Sequence, residues 1–427
     1  MKIYFYTLGC KVNQYESEAL AELFEAHGHT PTQNLADADV AVVNSCTVTA
    51  ESDRKTRQAV RRFKRSRADR IVILMGCMPS AIPETAEKLP EADIVTGNTD
   101  HAEIPHLLEE FLRDGKRIVK IGKHERGEKY KTPSITRYSE RTRAFMKVQD
   151  GCDRYCTYCL IPFARGDIRS RPLDEITAEA ESLAKNGFRE IVLVGINLTS
   201  YGRDTGHTVA DAVKAAAVDG IERIRLGSIE PDHMSDELLS QLAAEEKFCP
   251  QFHLALQSGS DNTLKRMNRH YDTAFYRDLV ARIRQKFENP SITTDIMVGF
   301  PAESEADFQD SVAFLREIGF ARSHVFAYSK RSGTVAAGLP GQVEECEKAK
   351  RAAIMAGAAA ECERAFCESQ VGRAEEVLFE QKNGEFFEGY TKNYLRVKVK
   401  SDSKLSGKIL KVTLTSAEKD CCVGIPT

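Results

Sequence analysis

The chain has 427 residues, with Lys+Arg 60 against Asp+Glu 63 for a net charge of -3, and 42% of its residues are hydrophobic. That length predicts two or three domains, and the charge excludes a globally basic nucleic-acid coat protein while leaving room for a local basic surface. No apolar run approaches the roughly 20 residues of a membrane span, and the opening MKIYFYTLGCK is too short and too polar for a secretory signal, so a cytoplasmic protein without membrane contact is expected.

Residues 2–7 (KIYFYT) predict a strand. In 17–26, Leu20, Leu23 and Phe24 fall at i, i+3, i+4 on one helix face. Residues 39–44 (DVAVVN) read as a buried strand, 54–65 as a basic helix and 70–76 (RIVILMG) as another strand. This β-α-β-α-β order predicts an open parallel sheet in a first domain, 1–115. The polar, weakly periodic stretch 116–143 reads as a linker with one short strand at 117–121.

A second alternation follows, with strands expected at 144–148, 190–195, 223–227, 253–256, 293–298 and 324–328 and amphipathic helices between them. Six strands predict a partial (β/α)6 barrel, shorter than a full eight-stranded one. With a long Glu-, Ala- and Lys-rich helix at 343–369 it forms a second domain, 144–369. Short strands with Gly turns at 376–380, 386–391, 395–399 and 407–414 predict a small all-β domain, 370–427. The expected class is α/β: an open parallel sheet, a partial barrel and a small β-barrel.

Twelve cysteines in a chain with no export signal read first as metal ligands or catalysts. Cys152, Cys156 and Cys159 form a C-x3-C-x2-C run just after the first barrel strand. Three thiolates at this spacing wrap one face of an iron–sulfur cube and leave the fourth iron to a non-protein ligand. A structural zinc site would want a fourth Cys or His nearby, and none lies within the next fifteen residues. Cys10, Cys46 and Cys77 are far apart in sequence, yet each lies just beyond the C-terminal end of a predicted parallel strand. In an open α/β sheet those ends converge on one crevice. The three either hold a second cluster or are small buried residues at strand ends. Cys249, Cys346, Cys362, Cys367, Cys421 and Cys422 read as non-ligands.

The Cys152–Cys159 run resembles the defining motif of the radical S-adenosylmethionine (SAM) enzymes. That resemblance implies SAM on the open iron, a 5′-deoxyadenosyl radical, and an aromatic at Tyr158 near the adenine of SAM. TLGCKVNQYESE (7–18), NSCTVT (44–49), GCMP (76–79) and GCDRYCTYCLIPFARG (151–166) resemble the methylthiotransferases, radical SAM enzymes with an extra N-terminal domain. The likeness continues through IVLVGINLTSYG (191–202), RLGSIEP (225–231), HLALQSGSD (253–261), TTDIMVGFP (293–301) and FAYSKRSGT (326–334), and the last domain resembles a TRAM barrel. It implies two 4Fe-4S clusters, the auxiliary one on Cys10, Cys46 and Cys77 and carrying the sulfur to be transferred. Lys11-Val12-Asn13, with Gln14-Tyr15-Glu16, is similar to the branch that methylthiolates N6-threonylcarbamoyladenosine beside the tRNA anticodon. The same chemistry on isopentenyladenosine or a ribosomal-protein aspartate is the enzyme alternative. An RNA-binding iron–sulfur electron carrier is the alternative of another class. The expected partners are tRNA and an electron donor such as flavodoxin or ferredoxin, with the chain a monomer.

Gly195 and Asn197 end the second barrel strand and resemble a SAM-binding element, against the plain reading of a strand-to-loop turn. Ser228 and Glu230 end the third strand, Gln257 follows the fourth, and Asp295 lies within the fifth, at the barrel mouth where sites are built. Two basic stretches stand out. Arg54–Arg70 is either a phosphate contact or a solvated helix face. In the last domain Arg396, Lys398 and Lys400 alternate with apolar residues, which predicts one basic RNA-facing strand face, with Phe387, Tyr390 and Tyr394 nearby as stacking aromatics.

Overall fold

The strands Val40–Ser45 and Ile71–Gly76 are buried along their whole length, because helices cover both faces of the sheet they centre. The structure, a computed structural model, describes residues 1–99, 101–136 and 142–427; residues 137–141 of the expected linker lie outside the described residues. The N-terminal sheet runs Thr30–Thr32, Lys2–Thr7, Val40–Ser45, Ile71–Gly76, Ile94–Thr96, Ile118–Lys120, all parallel. The chain order reverses between Lys2–Thr7 and Val40–Ser45, which opens a crevice at their C-terminal ends. Ile118–Lys120 pairs with Ile94–Thr96, so the short strand expected inside the linker is the sixth strand of this sheet. The two other three-residue strands are too short to show a period and are not expected from sequence.

The basic helix is longer than expected, Ala50–Ser66, because Thr49 caps it by accepting from the Ser52 N–H. Its apolar positions Ala59, Val60 and Phe63 face the sheet. Lys64 pairs with Asp93 and Arg67 with Asp39, while Arg70 is buried and donates to the carbonyls of Leu35, Ala38 and Phe63. Much of this basic stretch therefore holds the domain together.

The middle of the chain is an arc of six parallel strands. Arg143–Lys147, Glu190–Val194 and Arg223–Leu226 form one sheet; Ser228–Ile229, Gln251–Leu254, Ser291–Val298 and Arg322–Ala327 form the next. The third barrel strand is broken at Gly227 and contributes a piece to each sheet, closing the arc into a partial (β/α)6 barrel. Helix Glu345–Ser369 packs against the last strand.

The C-terminal part is a closed five-stranded barrel of Ala374–Asn383, Phe386–Thr391, Arg396–Lys400, Ile409–Ala417 and Cys422–Pro426. The last strand, which the sequence does not announce, closes it by pairing with both Arg396–Lys400 and Ile409–Ala417. This barrel seats on the N-terminal ends of the arc's strands. Arg223 donates to the carbonyls of Tyr390 and Glu376, Arg225 to that of Lys392, and Ser291 Oγ to that of Asn393. No described helix is long and apolar enough to cross a membrane.

Candidate active site

Cys10 is the N-cap of the first helix, Lys11–Ala26, directly after the first strand. Cys46 follows Val40–Ser45, and Cys77 opens the short helix Cys77–Ala81 after Ile71–Gly76. All three therefore stand at the crevice end of neighbouring strands. Gly76 needs its φ of +98°, and a Cβ there would sit 2.5 Å from Asn44 Oδ1 and 2.7 Å from the Ser45 carbonyl. The Cys10 thiol donates to Asn13 Oδ1 (3.2 Å), and Asn13 Nδ2 donates to Asn44 Oδ1 and the Ser45 carbonyl, which ties the loop to the strand end. Burial, then Cys77 nearby, pushes the Cys46 thiol up to about 11, and burial raises Cys10 too. Arg165 Nε donates to Cys77 Sγ (3.4 Å) from across the domain boundary.

Cys152, Cys156 and Cys159 lie on the loop after Gln149–Asp150. Gly151 has φ +77°, and a Cβ there would stand 1.8 Å from the Asp167 carbonyl oxygen, so the loop can start only from glycine. The Ile161 N–H donates to Cys159 Sγ (3.4 Å), Arg269 Nη1 to Cys156 Sγ (3.2 Å), and Asn197 Nδ2 lies 4.0 Å from Cys152 Sγ. Burial raises Cys152 to about 11 and Cys159 to about 12, each with Cys156 as a further cause. Binding a metal must therefore displace protons from these thiols, and the donors above favour the thiolate that results.

The donor sets fit a polynuclear group better than one ion. A single zinc bound at about 2.3 Å draws three sulfurs to within about 4 Å of one another. Among the described residues, neither cysteine set has its three sulfurs within 4.8 Å of each other. Three thiols in each set are donors of the kind that an iron–sulfur cube takes.

The residues expected at the SAM site gather in two places. Tyr158, Glu230 and Asn197 adjoin the cysteine loop. Arg269 joins them, bonding Glu230, Cys156 and the Tyr158 hydroxyl (3.4 Å) at once. Tyr158 also meets the Phe300 ring edge-on at 6.4 Å. Asn197 is fixed through its N–H, which donates to Gln149 Oε1 (2.8 Å). Gln257 sits in the left-handed region (φ +66°), and its N–H donates to the Asp295 carbonyl (2.9 Å). Gly195, Ser228 and Asp295 instead line a cavity of about 510 Å³ inside the barrel, which Gly9, Cys10 and Lys11 close on one side and Arg143, Arg225 and Tyr394 on another. Most of its lining is apolar, and polar side chains reach into it: Asp295 meets His253 Nε2 at 3.3 Å, and His253 Nδ1 lies 3.0 Å from Thr293 Oγ1, with His324 opposite. Enclosure by protein, with Arg143 and Arg225 close by, lowers the Lys11 ammonium to about 8.

Sequence reasoning missed Arg269, His253 and His324 as site residues. None stands at a spacing that marks a site; His253 and His324 alternate with core residues on strands and are visible only as inward-facing positions. The basic strand face lies as expected on Arg396–Lys400, but its charges are already met: Arg396 pairs with Asp420 (2.6 Å), Lys398 with Glu418 (3.0 Å) and Lys400 with Glu385 (2.7 Å). The aromatics read as base stackers also pack against protein. Phe387 is core, and Tyr390 and Tyr394 stack on each other at 4.6 Å beside Arg143 and Arg225. They help dock the small barrel.

Residues 2–97 match the Uncharacterized protein family UPF0004 and residues 146–315 the Radical SAM superfamily. The fold resembles the structure of the radical S-adenosylmethionine methyltransferase TsrM from Kitasatospora setae, with a TM-score of 0.57, 14% identity, and 76% of this chain and 72% of that one covered. Fold and superfamily define a radical SAM enzyme, which brings with it SAM and a 4Fe-4S cluster. The chain is 35% identical, over 97% of its length and 93% of the relative's, to "Threonylcarbamoyladenosine tRNA methylthiotransferase MtaB" of Bacillus subtilis (strain 168). It is 37% identical to the MtaB of Aquifex aeolicus (strain VF5), over 97% of this chain and all (100%) of that one. It is 34% identical to a "tRNA-2-methylthio-N(6)-dimethylallyladenosine synthase" of Caldicellulosiruptor saccharolyticus, over 98% of this chain and 91% of that one. The chain belongs to the radical SAM methylthiotransferase family, and MtaB enzymes are among its relatives.

Proposed function

We propose that this enzyme converts N6-threonylcarbamoyladenosine beside the tRNA anticodon into its 2-methylthio derivative. The observation that carries this reading is the group of polar side chains that reach into the cavity between Cys10 and the barrel interior. Lys11, His253, Asp295 and Thr293 offer charge and hydrogen bonds to a side chain with a carboxylate, a hydroxyl and a urea. An isopentenyl group would leave those polar groups unmatched in an enclosed space, which is unfavourable. A pure electron carrier has no use for such a cavity. The MtaB relatives support the same reading.

In this reading Cys152, Cys156 and Cys159 hold one 4Fe-4S cluster and Cys10, Cys46 and Cys77 a second, each set leaving one iron open. When bound, the first supplies the electron for reductive cleavage of SAM, and the second supplies the sulfur-bearing site. The chain's own residues do the rest. Tyr158 and Phe300 give an aromatic wall beside the first site. Arg269 holds Glu230 and Tyr158 in place, and Asn197 approaches Cys152. Glu230 offers a carboxylate to the SAM ammonium. Gly195, Ser228, Gln257 and Asp295 shape the passage from there into the cavity, and the enclosing barrel keeps water from the reacting centre. Arg396, Lys398 and Lys400 exchange their carboxylate partners for tRNA phosphates, and a flavodoxin or ferredoxin is the donor. Nucleoside analysis of tRNA from cells lacking the gene tests the substrate. Loss of 2-methylthio-N6-threonylcarbamoyladenosine alone supports the reading; loss of the methylthio-isopentenyl nucleoside instead rejects it.

A further inference from the structure

The cavity contains four cations with unequal commitments. Arg143 is held by Glu380 (2.5 Å), Arg225 by Glu190 (3.0 Å) and the carbonyl of Lys392 (2.9 Å), and Arg322 faces Glu363 at 3.8 Å. Lys11 is different. Among the described residues it makes no hydrogen bond and no ion pair; its Nζ lies over the Phe145 ring, 5.5 Å from the centroid. Its side chain is exposed and fronts the cavity. It also opens the first helix, whose first turn has no acidic residue, so the positive end of the helix dipole adds to its charge there. The nearest carboxylates are committed elsewhere, Glu190 to Arg225 (3.0 Å) and Asp295 to His253 (3.3 Å), so an ammonium that faces the cavity with no carboxylate bonded to it calls for an anion from outside.

We propose that Lys11 binds the carboxylate on the N6 side chain of the substrate adenosine and so selects a threonylcarbamoyl over a neutral side chain. The proposal rests on the substrate reading above. Chemistry supports the placement: C2 and N6 share the Watson–Crick edge of adenine, so the N6 side chain arrives next to whatever holds the sulfur. Lys11 directly follows Cys10, one of the three residues proposed to hold it. The guanidinium groups of Arg143 and Arg225 are turned to the docked barrel and serve structure, which leaves Lys11 to read the ligand.

The test measures binding of anticodon stem-loop RNAs to the cluster-loaded full chain at one salt concentration. The RNAs carry unmodified adenosine, N6-threonylcarbamoyladenosine, or its carboxamide counterpart, in which the carboxylate is neutral. The wild type should favour the acid over the amide by about 10-fold to 100-fold, the range of a charge-assisted hydrogen bond. Lys11→Met, which keeps the stem over Phe145, should bind acid and amide alike at matched iron content, and Lys11→Arg should retain the preference. Lys11→Gln serves as a second neutral variant if the Met variant loads iron poorly. A neutral variant with full iron that keeps the acid preference overturns the role of Lys11 and leaves the substrate reading intact. A wild type that does not distinguish the threonylcarbamoyl RNA from the unmodified one overturns both.

Discussion

Replacing Glu16 with Gln should destabilise the protein by about 3 kcal/mol at neutral pH. Glu16 lies on the first helix, and its carboxylate accepts from Lys147 Nζ (2.7 Å) and from Arg165 Nη1 and Nη2 (2.7 and 2.9 Å). Asp150 completes the group, 2.7 Å from Lys147 and 3.2 Å from Arg165, and all four side chains are at most 6% exposed. Arg169, also buried, reaches Asp150 at 3.5 Å and Glu128 at 3.8 Å, so the Gln variant leaves Lys147 and Arg165 to share with Arg169 the single carboxylate of Asp150. Breaking such a group from one side costs about 3–5 kcal/mol. The acid–base behaviour leads to a similar figure. Burial would raise the Glu16 carboxyl, but Arg165 and Lys147 outweigh it and hold it at about 2 against an ordinary 4.5. At about 1.4 kcal/mol per pKa unit this difference is again about 3 kcal/mol. Because the folded pKa is depressed, the stabilisation is complete above pH 4.5 and is lost as pH falls towards 2. The assay is urea unfolding of the cluster-free protein under reducing conditions, followed by circular dichroism because the chain has no Trp. The gap between wild type and variant should be full at pH 7 and narrow below pH 4.5. A loss under about 1 kcal/mol at pH 7, or a gap that does not change with acid, would refute the reasoning.

Replacing Cys152, Cys156 and Cys159 together with Ala should remove one cluster's iron and stop SAM cleavage, since a methyl group cannot replace a thiolate at iron; full iron with normal deoxyadenosine release would contradict it. The Cys10, Cys46 and Cys77 triple variant should still cleave SAM but yield no methylthio product, and product at the wild-type rate would show that the second cluster is dispensable. Gly151→Ala should deplete the iron of the Cys152 loop, because the new Cβ collides with the Asp167 backbone 1.8 Å away; normal iron content in that variant would count against the loop geometry. Changing Arg396, Lys398 and Lys400 to Ala should weaken tRNA binding and reduce its salt slope by roughly 0.7 to 0.9 for each phosphate no longer neutralised. Affinities at two or more salt concentrations check this, and an unchanged slope would mean that Asp420, Glu418 and Glu385 keep these cations for themselves.

The order of strands and helices was legible because each long strand is an apolar run and each long helix has one apolar face, and both are set by local chemistry. The cysteine-bearing strand ends were legible for the same reason: a parallel strand dictates where its C-terminal loop goes. Strands of three residues have no period to read, and Thr30–Thr32, TPT, looks like a turn on its own. Charge was legible only in part. A run of basic residues does not say where its carboxylates are, and those facing Arg396, Lys398 and Lys400 lie 15 to 24 residues away on other segments. The packing of Tyr390 and Tyr394 was hidden for a similar reason, since the guanidinium groups beside them come from residues 143 and 225.

The string that follows Cys10 shows how one helix can serve several surfaces. Lys11 faces the cavity, and Val12 packs with Val192 and Val194 of the barrel. Asn13 binds back to its own sheet through Asn44 and Ser45. Tyr15 donates to Glu179 (2.9 Å), which Arg171 pairs at 2.7 Å, and Glu16 enters the buried quartet. Helical periodicity sends positions 12, 15 and 16 to the barrel, 15 and 19 to Ile135 of the connecting segment, and Leu20 and Phe24 to the sheet. Arg165 completes the arrangement. It stands six residues after Cys159 and bonds Glu16, Asp150 and Cys77, so the loop carrying one cysteine set grips both the helix and a thiol of the other. Groups held by several short bonds from rigid elements have little room to drift. Two reactive sites that must act on one adenine need that restriction, because misplacement by about 1 Å can slow a positioned reaction about 100-fold.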